Sequence, residues 1–434
     1  MPPHVMQSPS CGAEYWGKQT QDKVKYFDGV IIVGAGPSGL ATAACLQAQG
    51  VRVLILEKAA CIASLWQLKT YDRLHLHLPK QFCELPLFPF PADFPTYPAR
   101  DQFVNYLQEY SSHFGLRPLF NHAVNQAEFD SRSGLWHVKT TAGCSVREFR
   151  ARWLVVASGE NAEPVVPVFK GVNEFEGKVF HSSAYRNGVA FEGKKVLVVG
   201  CGNTGMEIAL DLANFGASPT LVVRSPTHIL PREICGKSTF LVAMMLMKNL
   251  PVWLTDRLLV GYTYLTLGDT AKVGIPRPSE GPMLMKERTG KTPILDVGTF
   301  AAIKSGQVKV RPAVESLTPT GAQFEDGRRE DFDAIILATG YRSNVPKWLK
   351  DDSKFFSEEG LPRQPFPHGW KGESGLYVAG LGRKGLLGAS KDARSIALDI
   401  AAEISIADIP SLRLVPCQHE QHEQQQQQQR LLAD

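Results

Sequence analysis

No two of the eight cysteines, which run from Cys11 to Cys417, stand in CxxC spacing, and none forms a metal-ligand pattern with histidine. That lack excludes CxxC-type thiol–disulfide chemistry and gives no metal site. It reads as reduced thiols in an intracellular compartment, with the cytosol as the expected location. Blocks of one charge are missing too. Lys and Arg number 47 against 43 Asp and Glu, a formal net charge of +4 scattered over 434 residues, so no nucleic-acid footprint is present. Residues 1–25 are polar and lack the apolar core of a signal peptide. The most hydrophobic stretch, Phe240–Leu267, is broken by Pro251 and interrupted by Lys248, Asp256 and Arg257, too short and too charged to span a bilayer. It reads as a pair of helices covering a core or lining a cavity, or else as a surface in peripheral contact with a membrane or partner. No Ser-His-Asp or Cys-His constellation stands out, so no side-chain nucleophile is expected.

What is present is glycine at telling positions. Gly34, Ala35, Gly36, Pro37, Ser38 and Gly39 follow the apolar run Val30–Val33; Gly200, Cys201, Gly202, Asn203, Thr204 and Gly205 follow Val196–Val199. Each set stands between a strand pattern and a helical pattern, the place where a dinucleotide fold puts its phosphate-binding turn. The first glycine makes the tight turn, the second lets backbone approach a pyrophosphate, and the third lets helix pack close to strand. The phosphates would rest on the helix N-termini.

The ends of the next strands separate the two sites. Val53–Leu56 runs into Glu57 and Lys58, about 20 residues beyond the glycines, and a carboxylate there accepts ribose hydroxyls. Leu221–Val223 runs into Arg224, with Arg232 a few residues on, and a guanidinium suits a 2′-phosphate. The reading is FAD or NAD at the first site and NADPH at the second.

With 44% hydrophobic and 21% charged residues, the composition is that of a globular protein of two or three domains. The fold class is α/β, with two Rossmann-like dinucleotide-binding domains, the NADPH domain inserted into the FAD domain. A first βαβ unit covers 29–58, followed by a proline-rich irregular stretch from Pro79 to Pro98. Helical periodicity covers Gln102–Phe114, strand patterns cover Ala127–Lys139 and Ser145–Val156, and a final helix is expected over Arg394–Ile406. Phe332–Gly340 repeats the apolar strand and small-residue turn of Trp153–Gly159, which implies a second crossing between domains. The expected limits are 26–188 with 328–410 for the FAD domain and 189–327 for the NADPH domain. Tails at 1–25 and 411–434, the latter holding Gln424–Gln429, are expected to be disordered.

Between the two loops stands Phe175–Tyr185, an FxGxxxHxxxY-type signature containing Gly177 and His181, and after the second loop comes the Ala338–Tyr341 turn. This order resembles that of flavin-dependent monooxygenases. The runs CIASLWQLKTYDRLHLHLPKQFCELP from Cys61, VVGCGNTGMEIALDL from Val198, LGDTAKVGI from Leu267, GKTPILDVGT from Gly290 and GWKGESGLY from Gly369 closely resemble the plant YUCCA flavin monooxygenases, and the similarity extends from Gly29 to Ile400. The resemblance implies FAD and NADPH as cofactors. It also implies NADPH- and O2-dependent oxidative decarboxylation of indole-3-pyruvate to indole-3-acetate, in auxin biosynthesis, through a peroxyflavin.

It further places Gly34–Gly39 on the FAD pyrophosphate and Gly200–Gly205 with Arg224 on NADPH. Trp66 falls beside the flavin, Thr339 and Gly340 at the cofactor turn, and His77, Lys80 and His181 are candidates for catalysis. His77 stands where many relatives carry an asparagine; a packed or surface histidine is the alternative there, and His181 has the same ambiguity. The sequence departs from the family in HSSAYRN at His181, ASGEN at Ala157 and GLGRKGLLG at Gly380, which puts hinge contacts and nicotinamide fit in question. Phe240–Leu267 and Phe88–Tyr97 are candidate walls for an indole ring, with core packing as the other explanation. Other functions on the same scaffold are N- or S-oxygenation, Baeyer–Villiger oxidation, and a non-catalytic nucleotide-binding redox sensor.

Overall fold

A computed structural model describes residues 24–143, 145–350, 355–364 and 367–407. The first nucleotide unit is the strand Val30–Val33, the helix Pro37–Ala48 and the strand Val53–Leu56, joined by Trp153–Val156 and Leu376–Val378 in one parallel sheet. Its strands are Val/Ile/Leu runs without alternation because helices cover both faces of such a sheet. One face meets the first-loop helix together with the final helix, Gly385–Ala407, through Ala41, Ala44, Ala393, Ile396, Ala397 and Ile400. The other meets an antiparallel layer, Ala123–Asp130, Leu135–Ala142 and Ser145–Ala151.

The second unit repeats this design. Lys195–Val199, the helix Asn203–Asn214 and Ser218–Val222 are extended on one side by Lys309–Arg311 and on the other by Ala334–Leu337 and then Lys178–His181, all parallel. Val196 pairs with Ala334 as Val30 pairs with Trp153, so the two strands whose sequences repeat hold equivalent places. The second sheet therefore reaches past the expected 189–327 limits: its outer strands come from 178–181 and 334–337. The reason is pairing: Ala334–Leu337, from after the unit, takes the open side of the loop-bearing strand, and Lys178–His181, from before it, then pairs with Ala334–Leu337.

Other departures have physical reasons. The final helix starts nine residues ahead of the expected Arg394, because burial against the first-loop helix outweighs the low propensity of Gly385 and Gly388. Val24 and Lys25, assigned to a tail, pair with Glu148 and Phe149 at a sheet edge; the remainder of both tails, the glutamine run included, lies outside the described residues. The aromatic residues of Phe88–Tyr97 pack into the core rather than form a cavity wall. Phe90 stacks on Tyr106 with ring centroids 4.0 Å apart, and Phe88 packs against Tyr106 and Tyr110, both on the helix Arg100–His113. Phe240–Leu267 forms two helices: Thr239–Asn249 lines a cavity through Phe240, Ala243, Met244 and Met247, while Val252–Leu267 reaches it only at Val252 and exposes Trp253, Tyr264 and Leu265. Among the described residues no helix is long and apolar enough to cross a membrane.

Candidate active site

The two glycine loops share one geometry. Gly34 and Gly200 turn at φ +109° and +117°, where a side chain would strike the carbonyl oxygen of Ala157 or Ala338 at 2.5 and 2.4 Å. These carbonyls end the neighbouring strand, so the repeated small-residue turns press on the repeated loops. A Cβ on Gly39 or Gly205 would lie 1.9 Å from the oxygen of Gly34 or Gly200. Gly36 and Gly202 have nothing within 4 Å in that direction, and each caps a 12-residue helix with no side-chain hydrogen bond at the cap. Two open helix N-termini with free amides are two anion sites. Beside the first, the hydroxyl of Ser158 and one oxygen of Glu160 are buried without a partner. These features fit two dinucleotides.

Around the first loop, Pro37 opens the helix, Ser38 lends its carbonyl to Thr42, and Glu57 is buried. The Glu57 carboxylate accepts the Ala35 amide on Oε2 at 2.8 Å and, on Oε1, the Ala59 amide at 2.9 Å and the Ser64 hydroxyl at 3.3 Å, which leaves a lone pair on Oε2. Lys58 is exposed. In the second loop, burial pushes the Cys201 thiol up to about 12, so it stays neutral and inert. The Asn203 side chain accepts the Leu295 amide at 2.9 Å. Arg224 is exposed past the strand Ser218–Val222, with no hydrogen bond or ion pair among the described residues. Arg232 is taken up elsewhere, stacked over Tyr97 at 4.2 Å.

A cavity of about 990 Å³ opens between the two units. Gly202, Asn203 and Thr204 reach it from the second loop, Trp66 and His77 from the first domain, and Gly385 and Gly388 from the final helix. Trp66 stands edge-on to Phe103, ring centroids 4.6 Å apart, and packs against both cores. His77 meets the buried Glu207 at 2.7 Å, across the domain boundary. The hydroxyl of Tyr71 is buried beside Glu207 and Thr204; burial first, then the Glu207 charge, pushes this phenol well up. Glu207 went unnoticed in the sequence, although a carboxylate inside the apolar stripe of a loop-bearing helix was a readable signal.

Two expected catalytic residues have other work. Lys80 donates to the carbonyls of Pro91, Ala92 and Phe94 at 3.1, 3.0 and 2.6 Å. An ammonium has three protons, and all three tie down the proline-rich loop, whose carbonyls lack a ladder. His181 is buried with both ring nitrogens engaged. The Ser183 amide can only donate, so Nδ1 accepts from it at 3.1 Å; the Gly340 carbonyl can only accept, so Nε2 carries the proton at 3.0 Å. Burial holds this imidazole below its ordinary 6.5, with the Gly340 carbonyl pulling the other way. Its two ring nitrogens clasp the signature to the returning turn. Thr339 joins the same seam, donating its hydroxyl to Val165, while Gly340 also borders the cavity.

The rest of the signature clasps as well. Tyr185 donates to Asp211 on the second-loop helix at 2.7 Å, and the Arg186 guanidinium reaches the carbonyls of Leu68 and Thr70 in the first domain. The departure HSSAYRN thus falls on hinge contacts.

A scaffold with two dinucleotide sites flanking one interdomain cavity is that of a two-cofactor oxidoreductase. The chain belongs to the flavin-binding monooxygenase-like family, whose model matches residues 28–367. It is 55% identical over 376 residues to the probable indole-3-pyruvate monooxygenase YUCCA9 of Arabidopsis thaliana, covering 86% of this chain and 89% of the relative. It is 54% identical to the indole-3-pyruvate monooxygenase YUCCA6 of the same plant (89% and 93%) and 54% identical to YUCCA1 of Oryza sativa subsp. japonica (86% and 92%). Among solved structures, a flavin-containing monooxygenase from Stenotrophomonas maltophilia shares the fold at TM-score 0.66 and 23% identity, over 88% of this chain and 99% of that one. An oxidized steroid monooxygenase bound to NADP does so at 0.69 and 18%, over 87% and 86%.

Two outcomes are expected from this geometry. Gly39→Ala or Gly205→Ala forces backbone apart and lowers unfolding free energy by about 1–3 kcal/mol, whereas Gly36→Ala or Gly202→Ala leaves it within about 0.5 kcal/mol yet weakens nucleotide retention; denaturant titration with nucleotide release separates the pairs. Because the folded chain holds the His181 proton less tightly than the unfolded chain, its contribution to stability is full above pH 6.5 and declines as pH falls below. Unfolding curves at pH 7.5 and 5.5 should show the drop, and His181→Gln should flatten it; an equal slope in the variant would be contrary evidence.

Proposed function

We propose that this chain is an NADPH- and dioxygen-dependent flavin monooxygenase that converts indole-3-pyruvate to indole-3-acetate and carbon dioxide. The observation that carries the reading is the shared cavity, which the second glycine loop enters from one domain and the final helix from the other, with an apolar wall at Phe240, Met244 and Met247 suited to an aryl group. Relatives at 54–55% identity that are named indole-3-pyruvate monooxygenases support the substrate.

FAD would lie with its pyrophosphate on Gly34–Gly39 and a ribose hydroxyl on the remaining lone pair of Glu57 Oε2. NADPH would lie on Gly200–Gly205, its 2′-phosphate at Arg224. Bound flavin supplies the redox chemistry and activates dioxygen, which the side chains here do not. The residues contribute position and shielding. The signature clasp holds the two units at a fixed separation, the apolar helices keep water from the cavity, and Glu207 orients His77 so that an imidazole nitrogen faces the pocket. Each turnover consumes one NADPH, one proton and one O2; one oxygen atom ends in the new carboxylate and the other in water. All five described cysteines are free thiols, which supports a reducing compartment, the cytosol.

The test is turnover by purified, FAD-loaded protein. Indole-3-pyruvate with NADPH should yield indole-3-acetate and carbon dioxide in equal amounts; NADPH consumption that ends only in hydrogen peroxide, or oxygenation of amines or sulfides in preference, would refute the assignment. Arg224→Ala should weaken NADPH binding roughly tenfold or more while leaving NADH little changed. An unaltered NADPH-to-NADH ratio would show that Arg224 is not the phosphate partner.

A further inference from the structure

Several basic groups border the cavity, and most are already committed. His77 is held by Glu207, and Arg383 donates to Glu359 at 3.0 Å and to the Thr289 carbonyl at 3.2 Å. Lys69 is exposed to solvent. Lys286 differs from them. It stands half-buried on the helix Pro282–Thr289, its ammonium 5.6 Å from the centroid of the Phe240 ring, with no hydrogen bond or ion pair among the described residues. Phe240 is braced in turn by an edge contact to Phe82, ring centroids 5.0 Å apart.

The surroundings of Lys286 favour an anion. Burial, then the nearby charge of Lys384, holds its ammonium below the ordinary lysine range, in a partly apolar setting. Of the carboxylates bordering the cavity, Glu287 is exposed on the same helix, and Glu160 is half-buried near Arg383 with its own carboxyl pushed up by burial. Neither forms an ion pair with Lys286. A negative group from a ligand would give the ammonium the partner it lacks.

We propose that Lys286 anchors the carboxylate of the 2-oxo acid substrate, with the aryl group lodged against Phe240, Met244 and Met247. The assignment rests on the reading of function above and gives that reading its substrate-class determinant: an aryl 2-oxo acid enters with its charged end at Lys286, while neutral ketones, amines and sulfides of the same size leave the ammonium unpaired. Acids are thereby selected over isosteric neutral compounds.

The experiment measures equilibrium binding of indole-3-propionate and of its neutral amide to the FAD-loaded protein by calorimetry, alongside KM and kcat for indole-3-pyruvate. Wild type should bind the acid at least tenfold more tightly than the amide. Lys286→Gln should bring the two to parity and raise KM at least tenfold with kcat within about threefold, and Lys286→Arg should restore the preference. Lys286→Met, which keeps the aliphatic stem, guards against a folding defect and should behave as Lys286→Gln. An acid-to-amide ratio unchanged in Lys286→Gln overturns the proposal, as does a tenfold loss of NADPH affinity with that ratio intact, since the lysine would then serve a cofactor phosphate. If the ratio responds as expected but wild type makes no indole-3-acetate, the anchor stands for aryl carboxylates and the proposed reaction fails.

Discussion

The architecture rests on a backbone contact made twice: the third glycine of each loop lies against the carbonyl of the first, and the first lies against the carbonyl that ends the neighbouring strand. A side chain at either place would meet backbone oxygen at 1.9 to 2.5 Å. This contact fixes where each helix begins and therefore where its unpaired amides point. With both helix N-termini aimed by the same rule, two anionic cofactors can be held in one chain without a lysine or arginine in either loop.

Between the two units the signature acts as a clasp. His181 joins the returning turn at Gly340, Tyr185 joins the second-loop helix at Asp211, and Arg186 reaches back to the first domain. His77 and Glu207 add a contact across the same boundary. Apart from the exposed Arg186, these are buried or half-buried polar groups, for which a lost partner leaves an uncompensated donor or acceptor. They accordingly fix one relative placement of the domains, and the cavity is the space that placement leaves.

The cavity is asymmetric in character. The helix Thr239–Asn249 supplies an apolar wall at Phe240, Ala243, Met244 and Met247, while Lys286 supplies positive charge with no ion pair among the described residues. Such a pocket suits an amphipathic acid with an aromatic body, consistent with the activity borne by the relatives' names. The side chains contribute orientation, exclusion of water and charge complementarity; redox chemistry belongs to the bound cofactors.

Local pattern made the two nucleotide units legible in the sequence, because strand, glycine turn and helix are contiguous and each glycine answers a steric demand within a few residues. The same holds for the repeat of Trp153–Gly159 in Phe332–Gly340, whose equivalence in the two sheets follows from identical register. Roles that depend on what a side chain meets across the fold were not legible. Lys80 and His181 carry chemistry-bearing groups, but carbonyls distant in sequence consume them; Glu207 and Lys286 look like ordinary helix residues until folding places one against His77 and leaves the other without a counter-charge. The sequence by itself determined the local backbone, since φ, close approach and apolar period are set by neighbours along the chain. Only the tertiary structure decided which polar groups are satisfied and which remain open to a ligand, since hydrogen bonds and charges are paired through space.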